Sequence, residues 1–291
     1  MDERPGLPPN LAILVSIAAV STASILIRLS EAAPLTLATY RMVLSTLMLA
    51  PFYVKSGGVR RFREMDGGRR LSLMGVGVVL AVHFASWITS LSLTSVASSV
   101  IFVHIDPIFV AVVSHFLLGE KVRPRTVLGI AVAFAGATMI AWGDLGSGGG
   151  SLYGDALALL GGVMLGVYIL GGRYLRQSLD LVSYVTPVYA TAAVVLLASS
   201  LALGAPLGGY PLGEYLIFLA LALVPMIFGH TVYNWALRYV SAPIVSISLL
   251  GEPVGASILA YLFLGESPGG WVVAGGVVTL LGILVSAYRA E

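Results

Sequence analysis

The chain has 291 residues, of which 58% are hydrophobic and only 10% charged, with a formal net charge of +2. Soluble domains carry about one quarter charged residues, so this composition excludes a protein whose main solvent is water. The absence of cysteine excludes disulfides, thiolate metal sites and cysteine nucleophiles together.

A membrane-crossing helix needs about 20 mostly apolar residues, and such runs fill the chain almost without pause from position 11 to position 288. The runs do not alternate apolar and polar residues, which argues against β-barrel strands. The 34 glycines would weaken soluble helices, but in a bilayer small residues let helix backbones approach closely. The first run, 11–29, lacks a strongly basic start and is followed by many others, so it reads as a retained helix rather than a signal peptide. Helices are expected at 11–29, 34–54, 71–92, 95–117, 125–142, 152–171, 181–203, 212–235, 241–263 and 270–288. Their connections are short except for 55–70, which is strongly basic, and 143–151, whose glycines and serines read as a flexible linker.

Sorting Lys and Arg between alternate faces gives one crowded side and one nearly empty side. The crowded side takes Arg4, the cluster from Lys55 to Arg70, Lys121, Arg123, Arg125, Arg173, Arg176, Arg238 and Arg289; the other takes only Arg28. Basic residues beside helix ends stay in the cytoplasm, so both termini are expected there, with an even number of spans crossing the cell membrane. The loop charges themselves read as topology signals and contacts for anionic lipid.

An internal repeat appears at an offset of 146 residues, the separation of Asp106 from Glu252. Pro107, Leu118, Gly119, Glu120, Gly129 and Gly136 recur as Pro253, Leu264, Gly265, Glu266, Gly275 and Gly282. The expected units are 1–145 and 152–291, joined by the linker 146–151. Each unit holds five predicted spans, and an odd number means that the second copy enters the membrane the opposite way. Charge agrees: Glu120 is followed by Lys121, Arg123 and Arg125, whereas no basic residue follows Glu266 before Arg289. Inverted halves suit a transporter, because they can exchange conformations and open one shared site to each side in turn.

These residues resemble the drug/metabolite transporter superfamily, in its EamA type. The likeness rests on Ala33-Pro34-Leu35-Thr36 leading to Tyr40-Arg41, on Ala236-Leu237-Arg238-Tyr239-Val240-Ser241-Ala242-Pro243 leading to Glu252-Pro253 and Leu264-Gly265-Glu266, and on the first-half counterparts Asp106-Pro107 and Leu118-Gly119-Glu120. The resemblance implies an all-α integral membrane protein, ten helices in two five-helix inverted repeats around a central cavity. It also implies that spans 1, 3, 4, 6, 8 and 9 line that cavity and that spans 5 and 10 are peripheral.

A charge at the bilayer centre costs about 2.5 to 3.5 kcal/mol on insertion scales, so buried ionisable groups are functional candidates. Asp106 and Glu252 precede Pro107 and Pro253, which are expected to kink their helices. Helical spacing puts Asp106 on a face with Phe102, Ser99 and Ser95, and Glu252 with Ser248 and Ser241. Either acid is expected to bind a proton or a cationic part of a solute, the alternative being a structural hydrogen bond beside the kink. Arg41, near the outer end of its span, is expected to snorkel or to form a structural ion pair, with recognition of a substrate carboxylate as the functional alternative. His83 and Trp87, four residues apart, face His230, Tyr233 and Asn234 on the repeat-equivalent span, where aromatic walls could line a cavity. His104 falls off the Asp106 face, and His115 reads as interfacial. Glu120 and Glu266 read as structural acids at the start of the following helices.

The expected function is secondary transport, by alternating access, of small metabolites such as amino acids or related organic solutes, outward and with proton linkage as an option. A flippase-like carrier of an amphipathic or lipid-linked molecule is the alternative, and an intramembrane enzyme a more distant one. No phosphate-binding glycine loop or catalytic motif is present, so no nucleotide, nucleic acid, cofactor, metal or catalytic residue is expected. The expected partners are a small-molecule substrate and the lipid bilayer, with the chain acting as a monomer.

Overall fold

A computed structural model describes residues 6–94, 99, 102–143, 151–265 and 267–287, and the regular structure among them is entirely helical. Seven helices are long and apolar enough to cross a membrane: α1 (Pro9–Arg28), α2 (Pro34–Lys55), α3 (Gly67–Leu93), α6 (Leu152–Arg176), α7 (Leu181–Ala202), α8 (Leu212–Ala236) and α9 (Ala242–Phe263). Three shorter apolar helices are found among the described residues, α4 (Asp106–Leu117), α5 (Pro124–Gly143) and α10 (Gly270–Ala287). A short helix, Gly58–Glu64, carries part of the basic stretch between α2 and α3. Ser95, Glu266, Arg4, Arg289 and most of the predicted linker lie outside the described residues.

Local chemistry sets the helix ends. Pro9 and Pro34 occupy first turns, where no backbone donor is lost. Asp66 and Asp180 cap α3 and α7, accepting from the amides of Arg69 at 2.9 Å and Ser183 at 3.0 Å. Gly119 and Gly265 adopt φ of 65° and 67°, a left-handed conformation that a side chain would strain, and each ends its helix.

The helices are interrupted beside both acids, next to the prolines expected to kink them. Helix α9 is divided into Ala242–Leu249 and Gly251–Leu264, and Pro253 sits in the first turn of the second piece. Pro107 likewise sits at the start of α4, after a turn at positions 104 and 105. Each acid therefore lies at a helix start rather than mid-helix, because proline fits a first turn without forfeiting a hydrogen bond. Helix α1 also breaks, at Ser21. Helix α8 contains a wide π segment, Ala222–Thr231, which the 3.6-residue period does not anticipate.

Packing inverts the soluble pattern. Large apolar side chains such as Leu14, Phe52, Phe116, Leu203 and Phe263 point outward, whereas Arg41, His83, Asp106 and Asn234 are buried. Antiparallel pairs form the bundle. Helix α2 meets α7, with the Thr39 and Ser200 hydroxyls 2.8 Å apart and the Tyr40 hydroxyl donating to the Leu207 carbonyl at 2.6 Å. Helix α3 meets α6, and the Ser16 hydroxyl of α1 donates to the Gly229 carbonyl of α8 at 3.0 Å. Helices α5 and α10 make the closest seam. A Cβ added at Gly129 would lie 2.7 Å from the Gly282 oxygen, and one at Gly275 would lie 2.6 Å from the Gly136 oxygen.

Candidate functional site

Where α1, α2, α3, α6, α8 and α9 converge, a small polar cavity forms, lined by Val20, Ala23, Arg41, His83, Trp87, Val103, His104, Leu165, His230, Tyr233, Leu249 and Glu252. Helices α5, α7 and α10 contribute nothing to it. The space open to the centre of a water molecule is about 30 Å³, room for about two waters and too little for an organic solute, so this conformation is contracted around its site.

The walls are fixed by backbone and ring contacts. His83 shares a 2.8 Å hydrogen bond between Nδ1 and the Gly161 carbonyl, and because a carbonyl only accepts, Nδ1 is the donor. Its ring stacks on Trp87 with centroids 5.9 Å apart and an interplanar angle of 11°. Across the cavity, His230 Nδ1 and the Tyr233 hydroxyl are 2.7 Å apart. The Arg41 guanidinium lies 4.3 Å over the Phe84 ring centroid, in cation–π contact. Only 1% of Arg41 is exposed, and its Nε and Nη1 have no hydrogen-bond acceptor. The expected snorkelling is therefore overturned: α2 turns this side chain into the bundle rather than along the surface.

The two acids part company. Glu252 lines the cavity and its carboxylate is 4.0 Å from His104 Nε2. Asp106 does not line it. That residue is fully buried between α4 and α9, where its Oδ2 accepts from the Ser246 hydroxyl and its Oδ1 has no partner. Asn234 also falls outside the cavity, donating through Nδ2 to the Tyr168 hydroxyl at 2.8 Å and to the His230 carbonyl at 2.6 Å. Six of the residues singled out by sequence thus meet in one place: Arg41, His83, Trp87, His230, Tyr233 and Glu252.

Sequence reasoning passed over two groups. His104 is off the Asp106 face, as its spacing implies, but of the two it is His104 that lines the cavity, within 4.0 Å of the Glu252 carboxylate. The second is a clamp at the end of the bundle that holds most of the basic residues. Arg173 Nε donates to Glu120 Oε1 at 2.6 Å, and Arg173 Nη1 donates to the Leu237 and Arg238 carbonyls at 2.8 and 3.2 Å. The other Glu120 oxygen accepts from the Ala242 amide at 3.2 Å, the first amide of α9. Glu120 is a helix-start acid, as expected, but of α9 and not of α5, the helix that follows it in the chain. A charge patch alone could not reveal a partner 53 residues away.

Two apolar grooves lie on the outside of the bundle. One runs between α4 and α5, about 600 Å³, and is lined by residues including Ile108, Val112, Ile130 and Phe134; the other runs between α9 and α10, about 250 Å³, and is lined by residues including Val254, Ile258, Gly276 and Leu280. Neither shares a lining residue with the central cavity.

A bundle with an apolar exterior and a polar hollow reached by six helices defines a multi-pass membrane protein of the transporter class. The model of the EamA-like transporter family matches the chain twice, over residues 8–142 and 152–288. The chain belongs to that family, and it is a membrane transporter. It is similar to an uncharacterised transporter of Archaeoglobus fulgidus, 26% identical over 285 residues and covering 96% of each chain. It is also similar to a probable terminal-alkyne amino-acid exporter of Streptantibioticus cattleyicolor, 25% identical over 64% of this chain and 62% of that one. A solved crystal structure, 19% identical, superposes with a TM-score of 0.81 over 97% of both chains, and so shares the fold.

Proposed function

We propose that the protein is a secondary transporter that exports small metabolites, amino acids or related organic solutes, by alternating access across the cell membrane. In this reading α1–α5 and α6–α10 are inverted repeats, ten spans in all, with both termini in the cytoplasm. The observation that carries it is the central polar cavity, built from helices of both repeats.

The repeat reading draws support from the seams. Gly129 against Gly282 and Gly275 against Gly136 exchange under the 146-residue offset, and α5 and α10 run antiparallel, as inverted equivalents must. The outer grooves exchange under the same offset: Ile108, Val112 and Ile130 correspond to Val254, Ile258 and Gly276. The double match of the family model points the same way. Export is supported by the relative named as a probable amino-acid exporter.

In proton-linked transport Glu252 is the group that exchanges protons, because it meets the cavity, and Asp106 braces α4 against α9. The Glu120–Arg173 clamp closes the cytoplasmic end in the contracted state. A flippase needs a lateral opening into the cavity, and the separation of both apolar grooves from it weighs against that alternative. The test is counterflow in liposomes loaded with single amino acids or amphipathic cations, with and without an imposed pH gradient. Exchange of at least one loaded solute, absent from empty liposomes, is expected; solute turnover in detergent without any vesicle-dependent flux would replace the carrier by an enzyme.

A further inference from the structure

The two outer grooves have matching walls and different ends. Nine of the ten residues lining the α4/α5 groove have their counterparts, 146 positions on, lining the α9/α10 groove. The first groove follows α4 from Ile108 to Phe116, about 12 Å at 1.5 Å per residue, close to the about 15 Å of hydrocarbon in one leaflet. It ends at the connection between α4 and α5, where the exposed His115 and Val122 belong to its lining. Lys121 and Arg123 flank Val122 in the chain, Arg125 follows, and all three are exposed. Arg125 is anchored through Nε, which donates to the Val285 carbonyl of α10 at 3.0 Å. The acid of this connection is turned away from the cations: the Glu120 side chain is only 14% exposed and is taken by Arg173 and by the Ala242 amide. At the corresponding end of the second groove stand Tyr261, Ser267, Gly269 and Trp271. Tyr261 and Trp271 are more than half exposed there, and no cation accompanies them.

We infer that the α4/α5 groove is a binding site for one anionic phospholipid, with an acyl chain laid between the two helices and the phosphate held by Lys121, Arg123 and Arg125. The groove has a volume of about 600 Å³, inside the range of about 300–1,000 Å³ in which proteins hold drug-sized ligands, against about 250 Å³ for its counterpart. Its apolar walls select hydrocarbon, and its cationic end selects the sign of the headgroup, since each Lys or Arg beside a membrane surface adds attraction for anionic lipid. The α9/α10 groove ends instead on aromatic side chains of the kind that sit at headgroup level without preference for charge. A second copy of the chain is a poorer occupant. Two copies inserted the same way and paired about a two-fold axis through this groove would set their basic connections against each other. The site shares no residue with the central cavity, so the inference does not depend on the cargo.

The purified full chain, stripped of lipid in detergent, is titrated with phosphatidylglycerol and with phosphatidylcholine of identical acyl chains, and bound lipid is counted by native mass spectrometry. The first phosphatidylglycerol should bind at least about 10-fold more tightly than the first phosphatidylcholine. Replacing two cations together, Lys121→Gln with Arg123→Gln, should remove that preference. Ala131→Phe fills the groove from an exposed position of α5 and should weaken the first phosphatidylglycerol by about 10-fold or more, because the acyl chain loses buried surface. Val277→Phe, its counterpart on α10, should leave that binding unchanged. If Ala131→Phe lacks a cooperative melt, Val112→Phe fills the groove from α4 in its place. Equal affinity for the two lipids overturns the assignment, and so does a preference that survives loss of the cation pair. Tight phosphatidylglycerol binding that survives groove filling also overturns it and moves the lipid to the basic stretch between α2 and α3. A lipid-independent dimer that Ala131→Phe breaks gives the groove to a second copy instead.

Discussion

Asp106 and Glu252 occupy equivalent places in the repeat, and the sequence reads them as a pair, but their surroundings give them different work. Ser246 holds Asp106 in a closed contact between α4 and α9, while Glu252 meets the cavity with a side chain that is 19% exposed. Substituting Glu252→Gln should therefore reduce accumulation driven by a pH gradient while leaving the thermal melt close to that of the parent, read in parallel by vesicle uptake and by melting. Substituting Ser246→Ala should lower stability by about 1–3 kcal/mol, because it strips the donor from a buried carboxyl, and a fall in melting temperature would register it. The identities of the cavity residues were legible because an ionisable or aromatic group in an apolar run is conspicuous. Their directions were less so. Helical spacing separated His104 from Asp106 and turned Asp106 toward protein, but could not tell which of the two faces meets the cavity. For Arg41 the sequence left snorkelling, an ion pair and a substrate carboxylate open, and its burial over Phe84 shows that it points inward.

Among the helices, the α5–α10 seam shows how small residues set distance. A side chain at Gly136 would meet the Gly275 oxygen at 2.6 Å, so Gly136→Val should push the two helices apart and cost about 1–3 kcal/mol or more, checked by a lowered melting temperature. The recurring glycines were visible in sequence as a repeat, though not as the two sides of one contact. The clamp at Arg173 makes a second test. Arg173→Ala removes the partner of Glu120 and the donor to the Leu237 and Arg238 carbonyls, so amide exchange over residues 237–242 should accelerate by about 10-fold or more, read by mass spectrometry after deuterium labelling. The break in α9 falls beside Pro253, where the sequence points to a kink, but the break in α1 and the π turns of α8 were not legible, since neither apolar content nor glycine and proline placement marks them. All three lie beside the cavity, at Val20, Leu249 and His230. Helices interrupted at a central hollow leave backbone groups and side chains free to face it, which a straight span would bury against its neighbours.

For the molecule as a whole, composition alone fixed the solvent, since a chain with 10% charged residues cannot cover itself in water. The proposed orientation rests on the sorting of Lys and Arg, and the proposed inverted repeat on an odd number of predicted spans per unit. The closed state of the cavity was not readable from sequence, because it depends on how far two packed halves have moved. Alternating exposure of that cavity is the central claim, and the lack of native cysteine makes it directly measurable. Ala23→Cys places one thiol on the cavity wall of α1, and a membrane-impermeant maleimide can be applied from either side of sealed vesicles. The account predicts labelling from both sides, each slowed when a transported solute is present. Labelling from neither side, or from one side alone under every condition, would contradict it.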